Sequence, residues 1–115
     1  MKILLFVSLV LLGFEKPKPL TESQKIDKLI VYIEVLRDSP VFILNGTEYA
    51  PKEAAEQLKM QRKKAGPAIK TSKDFIDKIA SKSSTSDKPN VLKLRTGKTI
   101  PVQDLLNAQL KVIEN

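Results

Sequence analysis

Apolar residues recur at Ile26, Leu29, Ile30, Ile33 and Leu36, the spacing of a helix that buries one stripe. Thr21 stands where an N-cap belongs, and Gln24 three residues on completes a capping box. Ser39-Pro40 is expected to end this helix, because the residue before proline is driven out of the α region. The period then changes. Val41-Phe42-Ile43-Leu44 and Thr47-Glu48-Tyr49-Ala50 flank Asn45-Gly46, the dipeptide suited to a two-residue type I′ hairpin, in which both turn residues take positive φ. That register sets Phe42 opposite Tyr49, on one face with Leu44 and Thr47.

Pro51 opens a second helix, with Glu53 and Glu56 near its positive end and Ala54, Ala55 and Leu58 as a small-residue face. Gly66-Pro67 stops it. Thr71, with Asp74 three residues later, caps a third helix expected to bury Phe75, Ile76 and Ile79 before a serine-rich loop over residues 81–89. Residues 91–95 alternate as a half-buried strand that Thr96-Gly97 turns toward Lys98-Thr99-Ile100-Pro101-Val102. A two-residue loop would put Ile100 on the charged side opposite Lys93. A three-residue loop, Arg95-Thr96-Gly97 with Gly97 left-handed, sets Leu92 opposite Ile100 and keeps the apolar side together. Asp104, Leu105, Leu106, Leu110 and Ile113 then form a closing amphipathic helix.

The expected fold class is therefore α+β, with about four helices and two β-hairpins in the order αββααββα. Ile26-Asp27-Lys28-Leu29 recurs as Ile76-Asp77-Lys78-Ile79, fifty positions on, and Asn45-Gly46 recurs as Thr96-Gly97 at fifty-one. The spacing points to an internal repeat with pseudo-two-fold symmetry, the extra residue being what a longer second turn requires.

Ahead of this pattern lies a different one. Lys2 precedes twelve uncharged residues, 3–14, followed by the polar, proline-containing Glu15-Lys16-Pro17-Lys18-Pro19. The run is shorter than the roughly 20 apolar residues a spanning helix needs and suits the apolar core of a secretory signal. Residues 1–20 are read as signal peptide and spacer, residues 21–115 as one α+β domain, and the protein as periplasmic or secreted.

Composition narrows the chemistry. The 115 residues include no Cys, His or Trp, which excludes thiolate nucleophiles, disulfides, thiolate zinc sites and histidine-based triads. No spacing matches a metal cage, a Walker loop or a dinucleotide fingerprint, so no cofactor and no metal are expected. The formal charge is +7, and +5 once residues 1–20 are set aside. Much of the excess lies in Lys59, Arg62, Lys63, Lys64, Lys70 and Lys73, a candidate surface for an anionic envelope polymer. Nucleic acid fits an exported protein poorly. The Ser/Lys loop of residues 81–88 offers at most a Ser-Lys dyad, without an oxyanion or base constellation around it.

Several of these residues resemble the YfeK-like family of small exported bacterial proteins. The likeness is carried by Phe42-Ile43-x-Asn45-Gly46, Tyr49, Glu53-Ala54-Ala55, Leu58, Ala65, Ile69-x-Thr71 and Phe75-Ile76. It continues through Ala80-Ser81-x-Ser83-Ser84, Ser86 and Pro89, and extends over about residues 22–112. The resemblance implies an N-terminal export signal and lends no catalytic residue, cofactor or substrate, since that family's domain is of unknown function. The sequence departs from the pattern at Gln57, where a histidine is usual, at Asp87, where a glycine is, and at Asn90, where an aromatic is. The expected activity is a non-enzymatic binding or accessory module of the cell envelope. Its candidate partner surface is Asn45, Gly46, Tyr49, Ser83 and Ser84, in which the hairpin tip and the serine loop are expected to lie close together.

Overall fold

The computed structural model describes residues 18–83 and 85–115. The apolar run at 3–14 lies outside the described residues, as does Ser84. Helix α1 (Glu22–Glu34) opens on the anticipated capping box: the Thr21 hydroxyl accepts from Gln24 N at 3.1 Å, and the Gln24 side chain accepts from Thr21 N at 2.9 Å. It ends earlier than Ser39-Pro40 implied. Asp38 and Ser39 take positive φ, 72° and 53°, and this left-handed pair turns the chain into β1. Asp is among the few side chains that tolerate that region, and proline already bars Ser39 from the α region. Leu36 consequently lies beyond the helix, half-buried against the core.

Strands β1 (Val41–Leu44) and β2 (Thr47–Tyr49) form the anticipated hairpin, with Phe42 opposite Tyr49 and Leu44 opposite Thr47. Asn45 and Gly46 both take positive φ, 53° and 77°. Helix α2 (Pro51–Ala65) ends in a 3₁₀ turn over Gly66–Ala68. Helix α3 starts as one α-turn, Ser72–Asp74, under a Thr71/Asp74 capping box and widens into a π-helix over Phe75–Ala80. The widening alters which side chains face inward. Phe75 and Ile76 are buried as expected, but Ala80 replaces Ile79, which is only half-buried.

Strands β3 (Val91–Lys93) and β4 (Thr99–Pro101) pair with Leu92 opposite Ile100, the register of the three-residue loop. Leu94 N donates to Lys98 O at 2.8 Å around Arg95-Thr96-Gly97, and Gly97 supplies the left-handed residue at φ 93°. Helix α4 (Val102–Glu114) closes the chain, burying Val102, Leu106 and Leu110. Among the described residues the fold is α+β, with four helices and four antiparallel strands in the expected order.

The two hairpins join into one sheet, β2-β1-β3-β4, through a central antiparallel pair. Its register couples Val41 with Lys93, Phe42 with Leu92, and Ile43 with Val91. A fifty-residue shift turns the first pair into the third and leaves the middle one unchanged. A pseudo-two-fold therefore passes between Phe42 and Leu92. Further features obey it. Thr21 and Thr71 are both capping-box threonines, Ile26 and Ile76 are both buried, and each hairpin leads into a helix. Asp27 and Asp77 each bond the second helix of their own half, at Arg62 and Gln103. All four helices lie on the sheet face that carries Phe42, Leu44 and Leu92, and the core fills the space between.

The first turns of α1 and α3 also meet across this axis. Glu22 accepts from Ser72 N at 2.8 Å and from the Ser72 hydroxyl at 2.9 Å, while Lys25 lies 2.9 Å from Glu22 and 2.8 Å from Glu114 of α4. The Ser72 backbone N–H above all, then Lys25 and the Ser72 hydroxyl, hold the Glu22 carboxyl down from 4.5 to about 2. A carboxyl that binds its proton less readily when folded contributes stability at neutral pH and loses it as pH falls through 4.5 toward 2. The unscreened value would be roughly 3 kcal/mol. The Glu22 side chain keeps 38% of its surface in water, so screening leaves about 1–2 kcal/mol. Glu22→Gln is therefore expected to lower urea stability by that amount at pH 7 and to change it little at pH 2. An equal loss at both values would refute the assignment.

Candidate functional site

The C-terminal half of α2 presents two neighbouring rows of side chains, Lys59 with Lys63 and Met60 with Lys64, one helical turn apart within each row. The first row faces a cleft of about 440 Å³ between α2, the start of α1 and the chain after the 3₁₀ turn. Lys59, Arg62, Lys63 and Lys70 line it, over an apolar floor that includes Ile26 and Ile69. Arg62 is already engaged. Its Nη1 lies 2.6 Å from Asp27 Oδ1, and its Nη2 donates to Ser23 Oγ at 2.8 Å, so the guanidinium pins α2 to α1. Lys59 lies 3.9 Å from Glu56, both side chains being well exposed. Neither the Lys63 nor the Lys70 ammonium has a carboxylate within 4.0 Å among the described residues.

Of the six cations anticipated as one surface, four thus share this cleft. Lys64 turns instead into a second groove, and Lys73 pairs with Asp77 at 3.8 Å. The second groove, about 500 Å³, lies between α2, the hairpin tip and the π-helix. Asn45, Gln57, Gln61, Lys64 and Lys78 supply its polar lining. π-Helical turns recur at functional sites, and here the wide turn contributes Lys78 and Ile79 to the groove wall.

The hairpin tip and the stem of the serine loop are joined through a residue that was noticed only as a departure from the family pattern. Asn90 is 3% exposed, with both ends of its amide engaged: Nδ2 donates to Ala80 O at 3.0 Å, and Oδ1 accepts from Asn45 N at 3.1 Å. Its backbone N donates to Ser81 O at 3.0 Å, and its carbonyl accepts from Val102 N at 3.0 Å. The signal for it was slight: one amide residue between a loop proline and an apolar strand. Ser83 lies on the same stem, its N donating to Lys88 O at 3.0 Å and its hydroxyl 3.1 Å from that of Thr85. Tyr49 is apart from this group. It lies at the opposite end of β2 from the tip, half-buried in a shallow depression with Pro40, Val41 and Pro51.

Among the described residues, the serines of the loop bond to partners other than lysine amines. Ser81 Oγ donates to Asp77 O at 2.6 Å, and Ser86 Oγ accepts from the Lys88 backbone at 3.4 Å. These are capping and turn contacts. No group of three acidic side chains gathers as a metal site among the described residues. The Asp74 carboxyl is held below its ordinary value by the Lys70 backbone N–H first and that of Thr71 next, so it stays charged beside Lys78, 3.7 Å away.

A family of unknown function, DUF5329, matches residues 20–114. The chain belongs to that family. The matched span takes in the stretch that resembles the YfeK-like proteins, but that designation forms no part of the match. No curated protein and no solved structure matches the DUF5329 chain significantly. No described helix is long and apolar enough to cross a membrane.

Proposed function

We propose that this DUF5329 protein is an exported, non-enzymatic binding module of the cell envelope, with residues 1–20 as its export signal and residues 21–115 as the working domain. The basic cleft is where it takes an anionic ligand. The observation that carries the reading is Lys70. Cations in the last turn of a helix complement its dipole, which accounts for Arg62, Lys63 and Lys64 without a partner. Lys70 lies beyond that helix, yet it lines the same cleft, and its ammonium has no carboxylate within 4.0 Å among the described residues, the Asp74 carboxylate beside it being bonded by its backbone N–H. Such an arrangement is suited to a ligand that brings its own negative charge. The hairpin tip at Asn45 and Gly46, held to the serine-loop stem by Asn90, is the second surface we assign to partners.

Two measurements test this. Intact mass of the protein from fractionated cells is expected to lack roughly the first 13–20 residues in the envelope fraction. A full-length mass in the cytosol would remove export from the proposal. For the cleft, heparin is the probe. Binding is expected at low salt, falling linearly on a log–log plot with a slope of about 2–4, and weakening at least tenfold in Lys63→Glu/Lys70→Glu. No binding at low salt, or binding indifferent to that pair, would sink the anion site.

A further inference from the structure

The cleft and the second groove lie on either side of one helical crest. Lys59 and Lys63 face one, and Met60 and Lys64 face the other, as adjacent rows about 100° apart around α2. Consecutive residues, Lys63 and Lys64, thus place ammonium groups on both slopes. Both are exposed, and Met60, one turn before Lys64 in the second row, is 43% exposed. Lys70 adds a charge from the cleft's far wall, and Lys78 adds one across the second groove. The opposing carboxylates are few and occupied: Asp27 with Arg62, Glu56 at 3.9 Å from Lys59, and Asp74 in the α3 capping box with its Oδ1 3.7 Å from the exposed Lys78 ammonium.

Resting on the anion reading above, we propose that the ligand is a linear, base-free phosphate polymer. It lies across α2 from the cleft at Lys63 and Lys70 into the groove at Lys64 and Lys78. The composition of the two grooves makes the choice. No aromatic side chain lines either one among the described residues, so nucleobases find there no stacking platform of the kind that single-strand binders use. The guanidinium in the cleft is held by Asp27 and Ser23 rather than free for bidentate recognition. What remains is a row of flexible point charges, which follows a phosphate backbone without reading a sequence. The amides of Asn45, Gln57 and Gln61 add neutral donors along the second groove.

The test compares inorganic tripolyphosphate, long-chain inorganic polyphosphate and a single-stranded oligodeoxynucleotide on the purified protein by calorimetry. Long-chain polyphosphate is expected to bind more tightly than tripolyphosphate. Lys64→Gln/Lys78→Gln is expected to weaken the long chain about tenfold and to lower its salt slope by about 2, leaving tripolyphosphate unaffected. Circular dichroism shows whether that variant keeps its fold, and Lys64→Gln alone is the fallback if it does not. If both phosphates bind alike and the variant changes neither, the crossing is refuted while the cleft survives. If neither binds at low salt, the anion site itself fails. If the oligonucleotide binds at least as tightly as polyphosphate, the polymer is not base-free and the proposal is overturned.

Discussion

Phe42→Ala is expected to lower stability by about 4 kcal/mol, the cost of removing a fully buried aromatic ring and leaving a cavity. A fold of this size has roughly 5–14 kcal/mol in total, so the loss would take from about a third to about four fifths of its stability. Phe42 is in the middle pair of the central strands, opposite Leu92, and both side chains face the helices. Urea unfolding of the variant checks the cost, and a loss below about 1.5 kcal/mol would mean that the site collapses around the missing ring. The pseudo-two-fold adds a sharper expectation. Because residues 42 and 92 occupy equivalent places on either side of the axis, Phe42→Leu and Leu92→Phe each leave the core mismatched in volume. Made together, they conserve it. The double variant should therefore be at least about 1 kcal/mol more stable than the sum of the two single losses. Strict additivity would show that the two positions are not interchangeable.

That axis marks where local sequence signals stop. Helical periodicity located α1, α2 and α4, and capping boxes marked the starts of α1 and α3, because a buried stripe recurs every three or four residues and a Thr–Gln or Thr–Asp box is encoded within four. Turn chemistry likewise determined both hairpin registers, down to the extra residue at Gly97. The union of the hairpins into one sheet had no such signal, since β1 and β3 meet across fifty residues and strand partners that distant leave only their apolar faces as a trace. The early end of α1 escaped for a related reason: proline marks where a helix must have stopped, not where it does, and Asp38-Ser39 used the slack for a left-handed reversal. The π-widening of α3 moved Ile79 partly outward and brought Ala80 in, a shift that a 3.6-residue template cannot anticipate.

The basic surface was legible as composition and only partly as geometry. Lys59, Arg62, Lys63 and Lys70 do share a cleft, but adjacency in sequence gave no hint that Arg62 would be spent on Asp27, or that Lys73 would turn away to Asp77. The partner surface divided in a similar way. Asn45, Gly46 and Ser83 fall on connected structure, whereas Tyr49, placed at the far end of a three-residue strand, does not join them.

Asn90→Ala is expected to cost about 2–4 kcal/mol, an effect out of scale for a polar residue beside a loop. Alanine would leave the buried Ala80 O and the part-buried Asn45 N without the amide that serves both; the buried carbonyl stripped of its donor costs about 1–3 kcal/mol, and the more accessible N–H less. Asn90→Asp should be no better, because the Ala80 carbonyl would then face a carboxylate oxygen instead of a donor. Asn90→Leu separates polarity from volume: a side chain of similar size fills the space but satisfies neither group, so it should fall with alanine rather than with the native residue. Where the loss is felt matters as much as its size. The Asn90 amide ties the Asn45 turn to the end of the π-helix, so amide hydrogen exchange in the variants should quicken at residues 44–47 and 79–83 before it does in α1. Uniform acceleration throughout the chain would mean that Asn90 supports the whole core. Unchanged exchange at the hairpin tip would mean that the tip is positioned by its own turn alone, and its tie to the serine-loop stem would lose its structural basis.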